Sequence, residues 1–205
     1  MMTISVDDVV ATQPGWYRGD FHAHTNYSDG RLSPEELLTE ARQEKLHFFS
    51  MTDHNNTYSH EKFPPHEDML ILPGIEVTLA YGHFNVFGLA DGPEPEWMNS
   101  LPKTFEDYEA HMESGRTQYT STQLMEITAA SGLYNSINHP LLHPWAWLDH
   151  ETDLRHVHFL EIWNDPSWPD NDQMNPAAVE MWTRWLNDGH RHTAIGGSDF
   201  HTPFP

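Results

Sequence analysis

The sequence contains no cysteine, and only 10 Lys and Arg stand against 31 Asp and Glu, a formal charge of −21 with histidine neutral. Without thiols there are no disulfides, thiolate nucleophiles, iron–sulfur clusters or Cys-ligated zinc sites. A surface this acidic repels phosphate backbones and anionic bilayers, which disfavours a nucleic-acid polymer or a membrane as partner. Long apolar runs are missing too. The opening stretch, residues 1–15, has neither a basic flank nor a hydrophobic segment, so no signal peptide or anchor is expected there, and the expected location is the cytoplasm.

What the chain does have is a core and an excess of imidazole. Hydrophobic residues make up 38% of it, with 8 Trp, 7 Tyr and 10 Phe, which argues against disorder despite the charge. At 205 residues a single domain over 1–205 is expected, with 1–15 as an N-terminal extension. Sixteen residues are His, the side chain most used to bind transition metals and to move protons near neutral pH.

Short apolar runs ending in polar clusters alternate with amphipathic stretches, the pattern of βα units. Strands are expected over Trp16–His24, His47–Thr52, Met69–Leu79, Phe84–Leu89, Leu133–Asn138, Phe159–Trp163 and Thr193–Ile195. Ser33, Pro34 and Glu36 carry the signature of a capped helix start. A second helix is expected from Ser121 to Ser131, and a third starting with Asn175 as its cap and Pro176 in its first turn. Residues 90–119 hold three prolines and little apolar periodicity, which predicts an excursion over the surface or a lid.

Histidines and carboxylates gather at strand ends. His22 and His24 form an H-x-H pair whose side chains face the same way in an extended strand. His54, Glu76, His83, His139, Asp199 and His201 sit at the ends or starts of other strands, and Asp29 lies in the first loop. In a parallel barrel such positions converge on one mouth. Six His and three carboxylates exceed what one ion can use, so two or three divalent ions are expected; N and O donors of this mixture suit Zn, Mn or Fe. Asp20 and Asp53 are expected to accept hydrogen bonds from the ligand imidazoles.

The runs Arg18-Gly-Asp-Phe-His-Ala-His24, Ser28-Asp-Gly30, Thr52-Asp-His-Asn55, Pro73-Gly-Ile-Glu-Val-Thr78, Gly82-His83, Asn138-His-Pro140 and Gly197-Ser-Asp-Phe-His201 resemble, in order, the PHP (polymerase and histidinol phosphatase) superfamily. Glu161-Ile-Trp-Asn164 and Gly82-His-Phe-Asn85 look most like the branch that includes carbaryl hydrolase. The resemblance implies an α/β fold, a distorted TIM-like (β/α)7 barrel, whose closing helix would be absent or truncated since the sequence stops at Pro205. It also implies that His22, His24, Glu76 and Asp199 hold a first ion, and that Asp29, His54 and His201 hold a second, bridged by Glu76. His83 and His139, again with Glu76, would hold a third ion or else bind substrate.

The expected activity is hydrolysis of a small-molecule substrate, with Glu76 and Asp199 as catalytic groups and Asp199 as general base. A phosphoesterase is the leading expectation; a carbamate, ester or amide hydrolase on an apolar or aromatic substrate, or a non-catalytic metal-binding module, are the alternatives. Arg18, Arg31 and Asn164 are the candidates for substrate binding.

Overall fold

A computed structural model describes residues 14–89, 92–114 and 118–203; the expected extension over 1–15 falls almost wholly outside them. Seven strands form one sheet in chain order: β1 (Gly19–Asp20), β2 (Phe48–Met51), β3 (Leu70–Leu79), β4 (Gly82–Phe87), β5 (Tyr134–Ile137), β6 (Phe159–Trp163) and β7 (Thr193–Gly196). Pairing is parallel except on either side of β4, which is antiparallel to both β3 and β5. The reason is local. Only Ala80 and Tyr81 separate β3 from β4, a link far too short for a crossover helix, so the chain doubles back. Gly82 has φ +119°, and a Cβ there would lie 2.8 Å from Trp147 Cα.

The sheet nearly closes. Ala23 bridges to Phe200, His24 N–H donates to Phe200 O at 2.9 Å, and Phe21 N–H reaches Gly196 O at 3.3 Å, joining the first segment to the last. This explains why the expected strand over Trp16–His24 is regular only at Gly19–Asp20: farther on, its backbone is shared between β2 and the segment after β7. The result is the distorted seven-stranded, barrel-like α/β fold expected from the sequence.

Among the described residues four α-helices accompany the sheet: α1 (Pro34–Gln43), α2 (Phe105–Ser114), α3 (Ser121–Ala130) and α4 (Asn171–Asn187). In α1, Ser33 accepts from the Glu36 N–H while Glu36 accepts from the Ser33 N–H, the reciprocal cap read from the sequence. Helix α4 begins four residues before the expected cap. Asn175 does not cap; its side chain accepts from Asn164 N–H (3.0 Å) and donates to Asn164 O (2.7 Å), fixing the loop after β6. The excursion over 90–119 is also more than surface. It includes α2, and Trp97, Met98 and Leu101 are buried in the same cluster as Ile75, Val77 and Phe84. A second core cluster joins Leu37, Leu38 and Ala41 of α1 to Phe49 and Met51 of β2. Among the described residues no helix is long and apolar enough to cross a membrane.

Candidate metal centre

Glu76 sits in the middle of β3, 1% exposed, with its backbone held on the β2 side by Glu76 N–H to Asp53 O (3.2 Å) and Asn55 N–H to Glu76 O (2.9 Å). Five imidazoles surround its carboxylate. Oε2 lies 3.2 Å from His22 Nε2, 3.4 Å from His24 Nε2 and 3.0 Å from His54 Nδ1. Oε1 lies 3.2 Å from His83 Nδ1 and 3.1 Å from His139 Nε2, and accepts from Asn138 Nδ2 at 2.9 Å.

Two further carboxylates flank it. Asp199 Oδ1 is 3.2 Å from His22 Nε2 and 3.1 Å from His24 Nε2. Asp29 is 3.4 Å from His54 Nε2 and 3.2 Å from His201 Nε2. Three groups of donor atoms result, each lying within 4.8 Å of one another: His22, His24, Glu76 and Asp199; His24, Asp29, His54 and His201; and His54, Glu76 and His83. His139 belongs to none of these groups but faces Glu76 and stacks on His22, with centroids 5.8 Å apart. Both His139 (φ 26°) and Asp199 (φ 49°) adopt the left-handed backbone region, a strain of order 1 kcal/mol each that the surroundings must hold.

The donor set fits cations. His22 Nε2, Glu76 Oε2 and His139 Nδ1 are buried without a hydrogen bond among the described residues, although the first two are 3.2 Å apart. A lone pair facing a lone pair in a dry site is costly unless a positive charge lies near both. Protonation follows the same logic. Burial disfavours the charged form of His22, yet Asp199, Glu76 and Glu161 outweigh it and raise its pKa well above the ordinary histidine value. His54 is likewise lowered by burial but raised overall to about 10 by Glu76 and Asp29. For His83 burial wins, and its pKa falls to about 4. Burial pushes Glu76 and Asp199 up, but the neighbouring imidazoles, His22 foremost, hold both well below the usual carboxylate range. Without an ion, protons supply the positive charge these carboxylates demand.

All nine sequence-derived candidates converge here; the two expected imidazole acceptors do not behave as expected. Asp20 accepts from the His22 and Ser198 backbone N–H groups and from Ser198 Oγ, and Asp53 from Thr25 and from the hydroxyls of Ser28 and Ser59. Among the described residues neither accepts a hydrogen bond from a ring; they anchor the loops that carry the rings. The carboxylate that does orient an imidazole is Glu161, to which the sequence reading gave no role. Its Oε1 lies 3.0 Å from His22 Nδ1, while Oε2 accepts from His139 N–H (2.8 Å) and Asn164 Nδ2 (3.1 Å). A buried acid between Phe159 and Trp163 in a strand was the available signal. Gly197 makes room for this pair: a Cβ there would come 2.3 Å from His22 Cβ and 2.7 Å from Glu161 Oε1. In Glu161→Gln the amide N–H₂ must face a donor, either His22 Nδ1–H or the His139 and Asn164 N–H groups, and metal affinity is expected to fall about 10–100-fold. Titration against a chromophoric chelator measures it; unchanged affinity would remove Glu161 from the site.

The centre opens into a cavity of about 540 Å³ lined by Asp29, Glu76, Asp199, four of the histidines, Asn164, Asp165 and several apolar side chains. Asn164 lines the cavity, with Nδ2 3.3 Å from Asp199 Oδ2. Arg18 and Arg31 do not. Both are exposed and outside the lining: proximity in sequence to a strand end did not decide which way either side chain points, and Arg31 meets the site only through its backbone N–H to His201 O.

Residues 20–154 match the PHP domain family. The fold is shared with a Bifidobacterium adolescentis protein assigned as a metal-dependent phosphoesterase, at TM-score 0.63 and 19% identity over 92% of this chain and 89% of that one. An amidohydrolase from Chromobacterium violaceum, solved with sulfate bound and no metal, gives TM-score 0.63 at 16% identity over 91% of this chain and 88% of that one. An uncharacterized protein of Methanocaldococcus jannaschii is 34% identical over 73 residues, 30% of this chain, and the chain spans only 34% of that relative's length.

Proposed function

The chain belongs to the PHP domain family, and from that premise we propose that it is a metal-dependent hydrolase acting as a phosphoesterase on a small phosphorylated substrate. The observation that carries this reading is Glu76, one buried carboxylate facing five imidazoles with unpartnered atoms at its centre. His22, His24, Glu76 and Asp199 would hold one divalent ion, Asp29, His54 and His201 a second, with Glu76 between them, and His83 and His139 would serve a third position beside Glu76. The mixed N and O donors suit Zn, Mn or Fe. Ions bound there supply Lewis acidity, which makes a water nucleophilic at neutral pH and neutralises charge growing on a substrate oxygen.

The chain's own groups do the rest. Asp199, whose Oδ1 lies 3.2 Å from His22 Nε2 and 3.1 Å from His24 Nε2, would be the group that takes a proton from the attacking water. Asn164 Nδ2 donates to both Asp199 Oδ2 (3.3 Å) and Glu161 Oε2 (3.1 Å) and so fixes the two carboxylates relative to each other. A second reading, a carbamate or ester hydrolase like those of the carbaryl hydrolase branch, is favoured by one feature: no Lys or Arg is among the described residues lining the cavity.

The protein loaded with Mn, Zn or Fe should hydrolyse at least one of p-nitrophenyl phosphate, bis(p-nitrophenyl) phosphate and 1-naphthyl acetate. Turnover should vanish on chelation and return with metal. No turnover with any metal would instead leave a metal-binding module. Asp199→Asn is expected to lower kcat about a hundredfold; full turnover with intact metal content would exclude Asp199 as the base.

A further inference from the structure

The segment from Glu94 to Lys103 is tied at both ends to the loop that carries His54. Between those ends, Trp97, Met98 and Leu101 seat it in the core beside Ile75 and Val77. Lys103 Nζ donates to Asn55 O at 2.7 Å and to Glu94 Oε2 at 2.8 Å, while Glu94 Oε1 accepts from Thr57 N–H at 3.1 Å. Asn55, buried next to His54, has φ 54°, a left-handed conformation that its surroundings must hold.

The Asn55 side chain passes the constraint on. Its Oδ1 accepts from Thr78 N–H (2.8 Å), and its Nδ2 donates to Thr78 O (3.2 Å) and Pro102 O (3.1 Å), so both backbone groups of Thr78 are gripped. Thr78 Oγ1 donates to Glu76 O (3.4 Å) and lies 2.5 Å from His54 Nδ1, towards which it therefore accepts. Glu76 Oε2, 3.0 Å away, is a second acceptor on the same nitrogen. In the neutral ring that a cation needs, Nδ1 then carries the proton and Nε2, 3.4 Å from Asp29 Oδ2, keeps the lone pair. This settles an ambiguity in the donor set. His54 belongs both with His24, Asp29 and His201 and with Glu76 and His83.

We propose that Lys103 is a positioning residue of the metal centre: through Asn55 and Thr78 it holds His54 so that Nε2 serves the position shared with Asp29 and His201. This rests on the metal-centre reading and adds to it a side chain that does not line the cavity.

Calorimetric titration of cobalt(II) into the metal-free protein tests this. The wild type is expected to bind in more than one step. In Thr78→Val and in Lys103→Met one step is expected to weaken about tenfold while the rest hold, the size of effect usual for a group that orients a ligand. Lys103→Arg, which can still donate to Asn55 O, is expected to recover most of the loss. Amide exchange of the metal-free protein reads the brace without any ion: in Lys103→Met it should quicken about tenfold at Asn55 and Thr57 and stay unchanged in β6. Equal weakening of every step in both variants is general structural damage and overturns the proposal, as do undisturbed steps or unaltered exchange. A wild type that takes up no cobalt overturns the proposal together with the metal-centre reading, whereas normal uptake insensitive to Thr78 and Lys103 overturns the proposal alone.

Discussion

Glu76→Gln is expected to lower kcat/KM about a thousandfold or more and to cost the protein at least one equivalent of bound metal. The carboxylate spends both oxygens, Oε2 on His22, His24 and His54 and Oε1 on His83, His139 and Asn138. An amide keeps the shape and one acceptor but removes the charge. Its N–H₂ must then face either imidazole nitrogens needed as lone-pair donors or the Asn138 amide, itself a donor. Because the Glu76 backbone is bonded through both its N–H and its C=O to Asp53 and Asn55 in the segment after β2, the side chain has little freedom to swing away. Losing charge stabilisation of about 4 kcal/mol in a dry site corresponds to that thousandfold. Elemental analysis and steady-state kinetics on the same preparation measure both effects. Full metal content with full activity would mean the ions lie elsewhere.

Part of this site was legible because strand ends are legible; that Glu76, which lies inside β3, would stand at its centre was implied by the resemblance to the PHP superfamily. Periodicity marks where an apolar run stops, and in a barrel the stops share one mouth; His22, His54, His139 and Asp199 needed no further information. The α1 cap was legible for a related reason, since Ser33 and Glu36 interact within one turn. What escaped depends on partners remote in sequence. Asp20 meets Ser198 and Asp53 meets Ser59 and Thr25, so their identity as loop anchors exists only once the barrel closes. Glu161 looked like one letter of a motif until His22, 139 residues away, was seen beside it. Trp97 and Met98 were hidden for the opposite reason: they are the two buried residues of a five-residue turn, Glu96–Ser100, too short to show a period.

Chelation is expected to lower the melting temperature by about 8–16 °C at pH 8, and by less at pH 6. Free ion at a thousandfold above its dissociation constant stabilises by about 4 kcal/mol, and for a chain of this size each kcal/mol moves the midpoint by about 2–4 °C. The pH dependence comes from the metal-free protein. His22, His54, His139 and His201 have raised pKa values, each through carboxylate neighbours that overcome burial, and His54 reaches about 10. Their stabilisation is complete below the unfolded histidine value of about 6.5 and is lost as the pH climbs toward 10. His83, lowered to about 4 chiefly by burial, acts in the opposite sense: its contribution is complete above about 6.5 and lost on acidification. Glu76, Asp29 and Asp199 are depressed by their imidazoles against the effect of burial, so they contribute above about pH 4 and lose that contribution in stronger acid. The chelated protein should therefore be most stable near pH 6–6.5 and weaken steadily toward pH 10. The loaded protein should hold its midpoint over the same range, because ions in place of protons do not leave as the pH rises. Thermal melts with and without chelator from pH 5.5 to 10 test this, and coincident curves throughout would mean that the clustered imidazoles and carboxylates hold no ion.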